Sequence, residues 1–315
     1  MRVRIRTSVK VGPGVVLLAF ALTACSGGPA TTRAAVTASA AAASTTTPQA
    51  IAARAAAGTL CVTSSPSGNC GPYHYAADTN SNGYDTYVGN NCWADPSCVQ
   101  TLTVANPGHW QVTATQPAGN GSVRVAPEVQ QLMNDWCSNG RNTWSNFVLN
   151  GCPNAGGDTP ISALSELTSR YAESTPHNSR TIAQWAWDDW LSNDAGYANE
   201  VMVWVDVSGR CNPGSFGNQV HAPVTIAGQQ WTPHRYPNST EFIWTLDGPS
   251  GAGSCAQQAS GSVNLLALFK WMQANGFAAH GAAISLIDGT WEICSTGGIP
   301  ETFRVSSYSL TAKAA

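Results

Sequence analysis

Two glutamates on separate strand-like segments hold most of the chemical information in this chain. Glu200 lies in Tyr197-Ala198-Asn199-Glu200-Val201-Met202-Val203-Trp204-Val205-Asp206-Val207, and Glu292 lies in Gly289-Thr290-Trp291-Glu292-Ile293-Cys294. Successive strand side chains point to opposite faces, so Val201, Val203, Val205 and Val207 read as one buried ladder. The opposite face then presents Glu200, Met202, Trp204 and Asp206 together. A carboxylate beside a thioether and an indole suits a groove that packs sugar rings and does acid–base or nucleophilic work on them. Glu292, flanked by Trp291 and Ile293, is expected to be partly buried with a raised pKa.

The elements that must position these groups are short strands broken by Gly, Asn and Pro. Expected strands include Tyr84–Val88, Val99–Val104, His109–Thr115, Ser122–Val125, Ile182–Leu191, Asn199–Val207 and Val220–Ile226. Further expected strands are Glu241–Asp247, Ala282–Ile287, Trp291–Cys294 and Thr302–Leu310. Strands at this spacing point to a sandwich or jelly roll. One helix is expected, with Ser262 as N-cap, an apolar run from Val263 to Met272, and Asn275-Gly276 closing it. In Ile182–Leu191, Asp188 shares parity with Gln184, Ala186 and Trp190, which could set it beside Glu200. Trp185, Trp187, Trp244 and Trp271 are expected in the core.

Composition narrows the class. Charged residues are 10% of 315 and the formal net charge is −3, which gives no electrostatic case for nucleic acid or an anionic membrane surface. Residues 1–25 carry Arg2, Arg4, Arg6 and Lys10 and then the apolar run from Val15 to Leu22, too short to span a bilayer. The run ends in Leu22-Thr23-Ala24-Cys25, which resembles a bacterial lipobox and implies lipidation of Cys25; an ordinary secretory signal is the alternative. Residues 26–58 are nearly all Ala, Thr, Ser, Gly and Pro, and read as a disordered tether reaching at most roughly 110 Å. A single domain is expected over 59–315. The chain has no Gly-x-Ser-x-Gly elbow of a serine hydrolase. It has no Cys-x-x-Cys pair, and its histidines are never closer than 13 positions (His221 to His234), which argues against a zinc site built on local spacing.

Four motifs occur in order along the domain. Asn199-Glu200-Val201-Met202-Val203-Trp204-Val205 resembles the nucleophile strand of glycoside hydrolase family 12, the endo-β-1,4-glucanases and xyloglucanases. Gly289-Thr290-Trp291-Glu292 resembles that family's acid/base segment. Asn90-Asn91-Cys92-Trp93 is similar to its Asn-Asn-x-Trp motif, and Trp187-Asp188-Asp189-Trp190 to the segment whose aspartate hydrogen-bonds the nucleophile. The resemblance covers about residues 60–312. It departs at Glu292-Ile293-Cys294, where the family has Glu-Pro, and at Cys211-Asn212-Pro213-Gly214-Ser215, where it has Pro-Ile-Gly.

The resemblance implies an all-β jelly-roll sandwich of two antiparallel sheets, with a concave substrate cleft and one α-helix on the convex side. It implies Glu200 as a nucleophile kept ionised by hydrogen bonds, Glu292 as acid/base and Asp188 as their shaper. Asn91, Trp93, Met202 and Trp204 would bind substrate, with Trp93 as a sugar platform. Carboxyls about 5–5.5 Å apart would give retention. No metal or organic cofactor is required; the expected partner is a β-glucan, met by an exported monomer held to the membrane through a lipid at Cys25. A non-catalytic carbohydrate-binding lipoprotein and a transglycosylase are the rival readings. The resemblance also implies a Cys137–Cys152 disulfide. Cys98 is expected to pair with Cys70 or Cys61, and the odd number of remaining cysteines leaves a free thiol, with Cys294 a candidate.

Overall fold

A computed structural model describes residues 58–63, 75–79, 85–92, 98–106, 108–119, 123–132, 158–193, 196–209 and 217–315. The expected leader and tether, Cys25, Trp93, Cys137 and Cys152 lie outside the described residues. In chain order the first strands are β1 (Gly58–Thr63), β2 (Tyr75–Thr79), β3 (Asp85–Gly89), β4 (Val99–Asn106), β5 (His109–Thr115) and β6 (Glu128–Leu132). Next come β7 (Thr159–Pro160), β8 (Leu164–Ser174), β9 (Ile182–Asn193), β10 (Gly196–Ser208), β11 (Asn218–Gln219) and β12 (Val224–Ile226). The remaining elements are β13 (Gln229–Arg235), β14 (Glu241–Gly248), β15 (Gly251–Cys255), β16 (Ser260–Asn264), helix α1 (Leu265–Ala274), β17 (Ala283–Ser295) and β18 (Glu301–Ala314).

These strands form the two-sheet, jelly-roll sandwich the sequence leads one to expect. A six-stranded sheet runs β1-β4-β5-β18-β8-β16. A twelve-stranded sheet runs β11-β13-β14-β10-β9-β17-β6-β3-β2, with β12, β15 and β7 at its margins. Pairing is antiparallel except between β10 and β14, which run parallel. Between the sheets, Val112, Phe303, Val305 and Leu310 meet Trp185, Trp187, Val201, Val203, Trp244 and Trp291 in one apolar cluster. Ring contacts knit it together: Trp185 lies 4.7 Å from Trp291 edge to face, and Trp110 lies 5.0 Å from Trp291. Trp185, Trp187 and Trp244 are core residues, as their flanking pattern predicts, and Trp271 packs half-buried against them.

Several local expectations give way. The segments Ala282–Ile287 and Trp291–Cys294 are one continuous strand, β17, because Gly289 lets it pass under Tyr308 and Trp185. A Cβ there would sit 2.8 Å from the Tyr308 ring and 3.2 Å from that of Trp185. The helix is capped by Asn264, whose Oδ1 accepts from the Ala267 N–H at 3.0 Å; Ser262 lies in β16. The helix packs on β8, and Trp271 reaches Trp244 of the large sheet at 5.0 Å.

The strict alternation expected along β10 also fails, at a bulge between Trp204 and Asp206. The extra residue reverses the facing of the residues after it. Asp206 pairs with Trp185 and turns into the interior, while Val207 joins Met202 and Trp204 on the outer face. Inside, Asp206 lies 2.8 Å from His177 Nε2. It also neighbours Glu173 of β8, whose carboxyl is pushed up to about 10, first by burial and then by Asp206. Thr175 Oγ1 donates to Glu173 Oε2 at 2.8 Å and accepts from Trp291 Nε1 at 3.0 Å. This polar chain ties the two sheets together beside Glu292.

Cys98 pairs with Cys92, their Cα atoms 5.8 Å apart, and not with Cys70 or Cys61. The two cysteines are six residues apart in the chain, close enough to pair without a distant partner. Cys294 is disulfide-bonded, as is Cys255, so Cys294, a candidate for the free thiol, is not free.

Candidate active site

The outer face of the large sheet gathers the carboxyls. β9 lies between β10 and β17, so each residue of the site can be placed by its partner on β9. Glu200 pairs with Trp190, Met202 with Asp188, and Trp204 with Ala186. Glu292 pairs with Gln184, and Thr290 with Ala186. Beyond β17, Glu128 of β6 stands opposite Thr290. On the other side of β10, Glu241 of β14 stands opposite Glu200. Paired residues share a face, which puts Asp188, Glu200, Glu241, Glu292, Glu128 and Asp288 over one floor in a chain with few charges. Four of the chain's seven glutamates are here.

Burial makes this crowd costly to ionise. Glu200 is 3% exposed and Glu292 1%. The Glu200 carboxyl is pushed up to about 10, chiefly by burial, then by the charges of Asp188, Glu241 and Glu292. The last of these influences brings the two sequence-predicted glutamates within electrostatic reach of one another. Glu292 is pushed up to about 8 by burial and by Asp188. Two hydrogen bonds pull it the other way, from Gln184 Nε2 to Glu292 Oε2 at 2.6 Å and from Trp204. Asp188, half-buried, is raised to about 8 by burial and by Glu241 and Glu128.

The expectation that hydrogen bonds keep Glu200 ionised is not met, since Glu200 Oε1 has no protein donor. The raised value expected for Glu292 is present, with Asp188 rather than Glu200 as its charged cause. Asn91 donates from Nδ2 to Glu128 Oε2 at 3.3 Å, and its carbonyl accepts from Gln100 at 3.3 Å; it faces the acidic floor and is buried. Met202 and Trp204 occupy the expected face but are covered, packed with Val123, Ile243 and Cys294. Neither offers an open surface to a sugar ring.

Two carboxyls looked ordinary in the sequence and are not. Glu128 follows a proline outside any expected strand and Glu241 merely opens one, yet both are buried on this face. Among the described residues no group of three His, Cys, Asp or Glu is arranged to hold a metal ion.

No protein-family model matches the chain, and no curated protein matches it in sequence. Solved structures do match in shape. The fold is that of family 12 glycoside hydrolases, found over about three quarters of the chain. The xyloglucanase domain of NopAA, a type three effector from Sinorhizobium fredii solved with cellobiose, superposes with TM-score 0.58 at 18% identity. That match covers 78% of this chain and 99% of the other. Endoglucanase Cel12A from Rhodothermus marinus gives 0.56 at 21% identity, covering 78% and 98%. The endo-1,4-β-glucanase CelB2 gives 0.55 at 18%, again covering 78% and 98%.

Proposed function

We propose that this protein is an exported endo-β-1,4-glucanase that hydrolyses a β-glucan with retention of anomeric configuration. The observation that carries the reading is the placement of Glu200 and Glu292 across β9 on one buried face of this fold. Glu292, holding its proton near neutral pH, donates it to the departing glycosidic oxygen. Glu200, as carboxylate, attacks the anomeric carbon and forms a glycosyl ester as the C–O bond to the leaving group breaks. Glu292 then takes a proton from water, and the resulting hydroxide displaces Glu200. The positive charge that develops on the sugar favours the ionised form of Glu200 against the burial that opposes it. Asp188, between the two strands, tunes both carboxyls. Trp93, in Asn-Asn-x-Trp, is the proposed platform for a distant sugar ring. The cellobiose complex of the Sinorhizobium fredii domain supports a β-glucan as ligand.

Reducing-end release by the mature domain on cellulose, mixed-linkage glucan and xyloglucan tests the activity, and product analysis separates hydrolysis from transglycosylation. Glu200→Gln and Glu292→Gln should each fold and lose nearly all turnover; retained turnover in either removes that residue from the mechanism. A second reading exchanges the roles, and it is favoured by the hydrogen bonds that reach Glu292 and not Glu200 Oε1. Azide decides between them: rescue of Glu200→Ala with a glycosyl azide of inverted configuration assigns Glu200 as nucleophile. The same product from Glu292→Ala assigns Glu292. We further propose that Cys25 is lipidated and that residues 26–58 tether the domain at the membrane. Fatty-acid labelling lost in Cys25→Ser would support the anchor, and unchanged labelling would reject it.

A further inference from the structure

Glu241 is a buried carboxyl that the displacement does not use. It stands directly opposite Glu200 on the parallel β10–β14 ladder, with Met202 and Ile243 filling the next row of the same face. Phe242 and Trp244 point into the core, so Glu241 is committed to the outer face. The register is clamped beside both glutamates. Asn199 donates from Nδ2 to the carbonyls of Thr240 at 3.2 Å and Phe277 at 3.1 Å, and the Glu241 N–H donates to Ser239 Oγ at 3.0 Å. Neither Glu200 Oε1 nor Glu241 Oε1 has a protein donor. Like charges facing each other across a ladder repel, and here the backbone does not let them step apart.

We propose that Glu241 is a positioning residue for Glu200, losing its proton first and thereby holding the proton on Glu200 to higher pH. This rests on the reading of Glu200 as a reacting carboxyl. Other groups face the pair: Asp188 from β9, Glu292 and Asp288 from β17, and Glu128 from β6, all acidic. His234 of β13 lies in the Met202–Ile243 row; burial lowers its pKa to about 4, so it brings no positive charge at neutral pH. Arg235, also on β13, donates from Nε to the Ser239 carbonyl at 2.7 Å. Glu241 itself is raised to about 8 by burial and then by Glu292, below the value for Glu200, which fits the order of release.

The test is carboxyl-carbon NMR of glutamate-labelled mature domain, titrated without substrate, with Glu200 assigned through Glu200→Gln. In Glu241→Gln the Glu200 midpoint should fall by about one pH unit or more, the strength at which two sites titrate as a pair. The edge of the kcat/KM profile governed by Glu200 should move the same way. Because Glu241 ionises while Glu200 is still neutral, Glu200→Gln should leave the Glu241 midpoint in place; a fall of about one pH unit or more would put Glu200 first and reject the order of release, which keeps the test available if Glu241→Gln does not fold. A Glu200 midpoint unchanged in Glu241→Gln overturns the proposal. Because the titration needs no turnover, a wild-type domain that cleaves no glucan would defeat the functional reading while leaving this result legible.

Discussion

The buried acids should make the protein more stable in mild acid than at neutral pH or above. Glu173, Glu200, Glu241 and Glu292 are each nearly excluded from solvent. Each is raised from the ordinary value of 4.5 to about 8 or about 10 in the folded chain. Between pH 4.5 and 8 the native state therefore binds more protons than the unfolded one, and stability falls as pH rises. The contribution is fully present below the unfolded value and is lost as pH climbs through the folded ones. One retained proton is worth about 1.4 kcal/mol per pH unit. Four acting independently would exceed the whole stability of a typical domain over that range, so local relaxation and residual hydration must reduce the number. A single net retained proton gives about 4 kcal/mol between pH 5 and pH 8, or a Tm difference of roughly 8–16 °C. Melting of the mature domain at the two pH values and fixed ionic strength measures it, and Glu241→Gln should flatten the slope. A Tm equal at both values, or higher at pH 8, would refute the reasoning.

Gln184→Leu removes the 2.6 Å hydrogen bond to Glu292, so the Glu292 pKa should rise and the alkaline edge of kcat/KM should move up by about one pH unit; an unmoved edge contradicts the acid role. Gly289→Ala drives a methyl against Tyr308 and Trp185 and should cost about 1–3 kcal/mol in urea unfolding, whereas an unchanged midpoint would mean that β17 shifts freely. Thr175→Val leaves the Trp291 indole N–H and a Glu173 oxygen without their bridge. It should cost about 2–4 kcal/mol and Thr175→Ser much less; equal losses in the two would remove the hydroxyl as the cause.

What the sequence made legible was whatever a single strand can state by itself. Val201, Val203 and Glu200 declare their faces by alternation, and Trp185 and Trp187 declare theirs by their neighbours. Pairing was hidden. Glu241 opens Glu-Phe-Ile-Trp, an unremarkable strand start, and becomes part of the site through a parallel register with a strand about forty residues earlier. β8 is hidden because Glu166 and Glu173 interrupt its apolar pattern, although Leu164, Leu167, Ser169 and Tyr171 supply its buried positions. The bulge before Asp206 had no local sign, since Val205-Asp206-Val207 continues the pattern without a break. Cys92 is hard to recognise as the partner of Cys98 because it lies inside Asn-Asn-Cys-Trp, a segment that resembles a ligand-binding motif.

The place of β17 in the large sheet has a consequence for how the chain folds. β9 and β10 pair as sequence neighbours, but β17 must enter between β9 and β6, strands made about 100 and 160 residues earlier. Until it does, β9 and β6 present open edges, which invite pairing with other chains. Long-range insertions of this kind are slow because loop closure precedes any gain in contacts. Glu292 arrives on that inserted strand. A chain lacking its last thirty residues therefore has neither a closed sheet nor a complete carboxyl cluster, and the cluster is assembled only when β17 locks in.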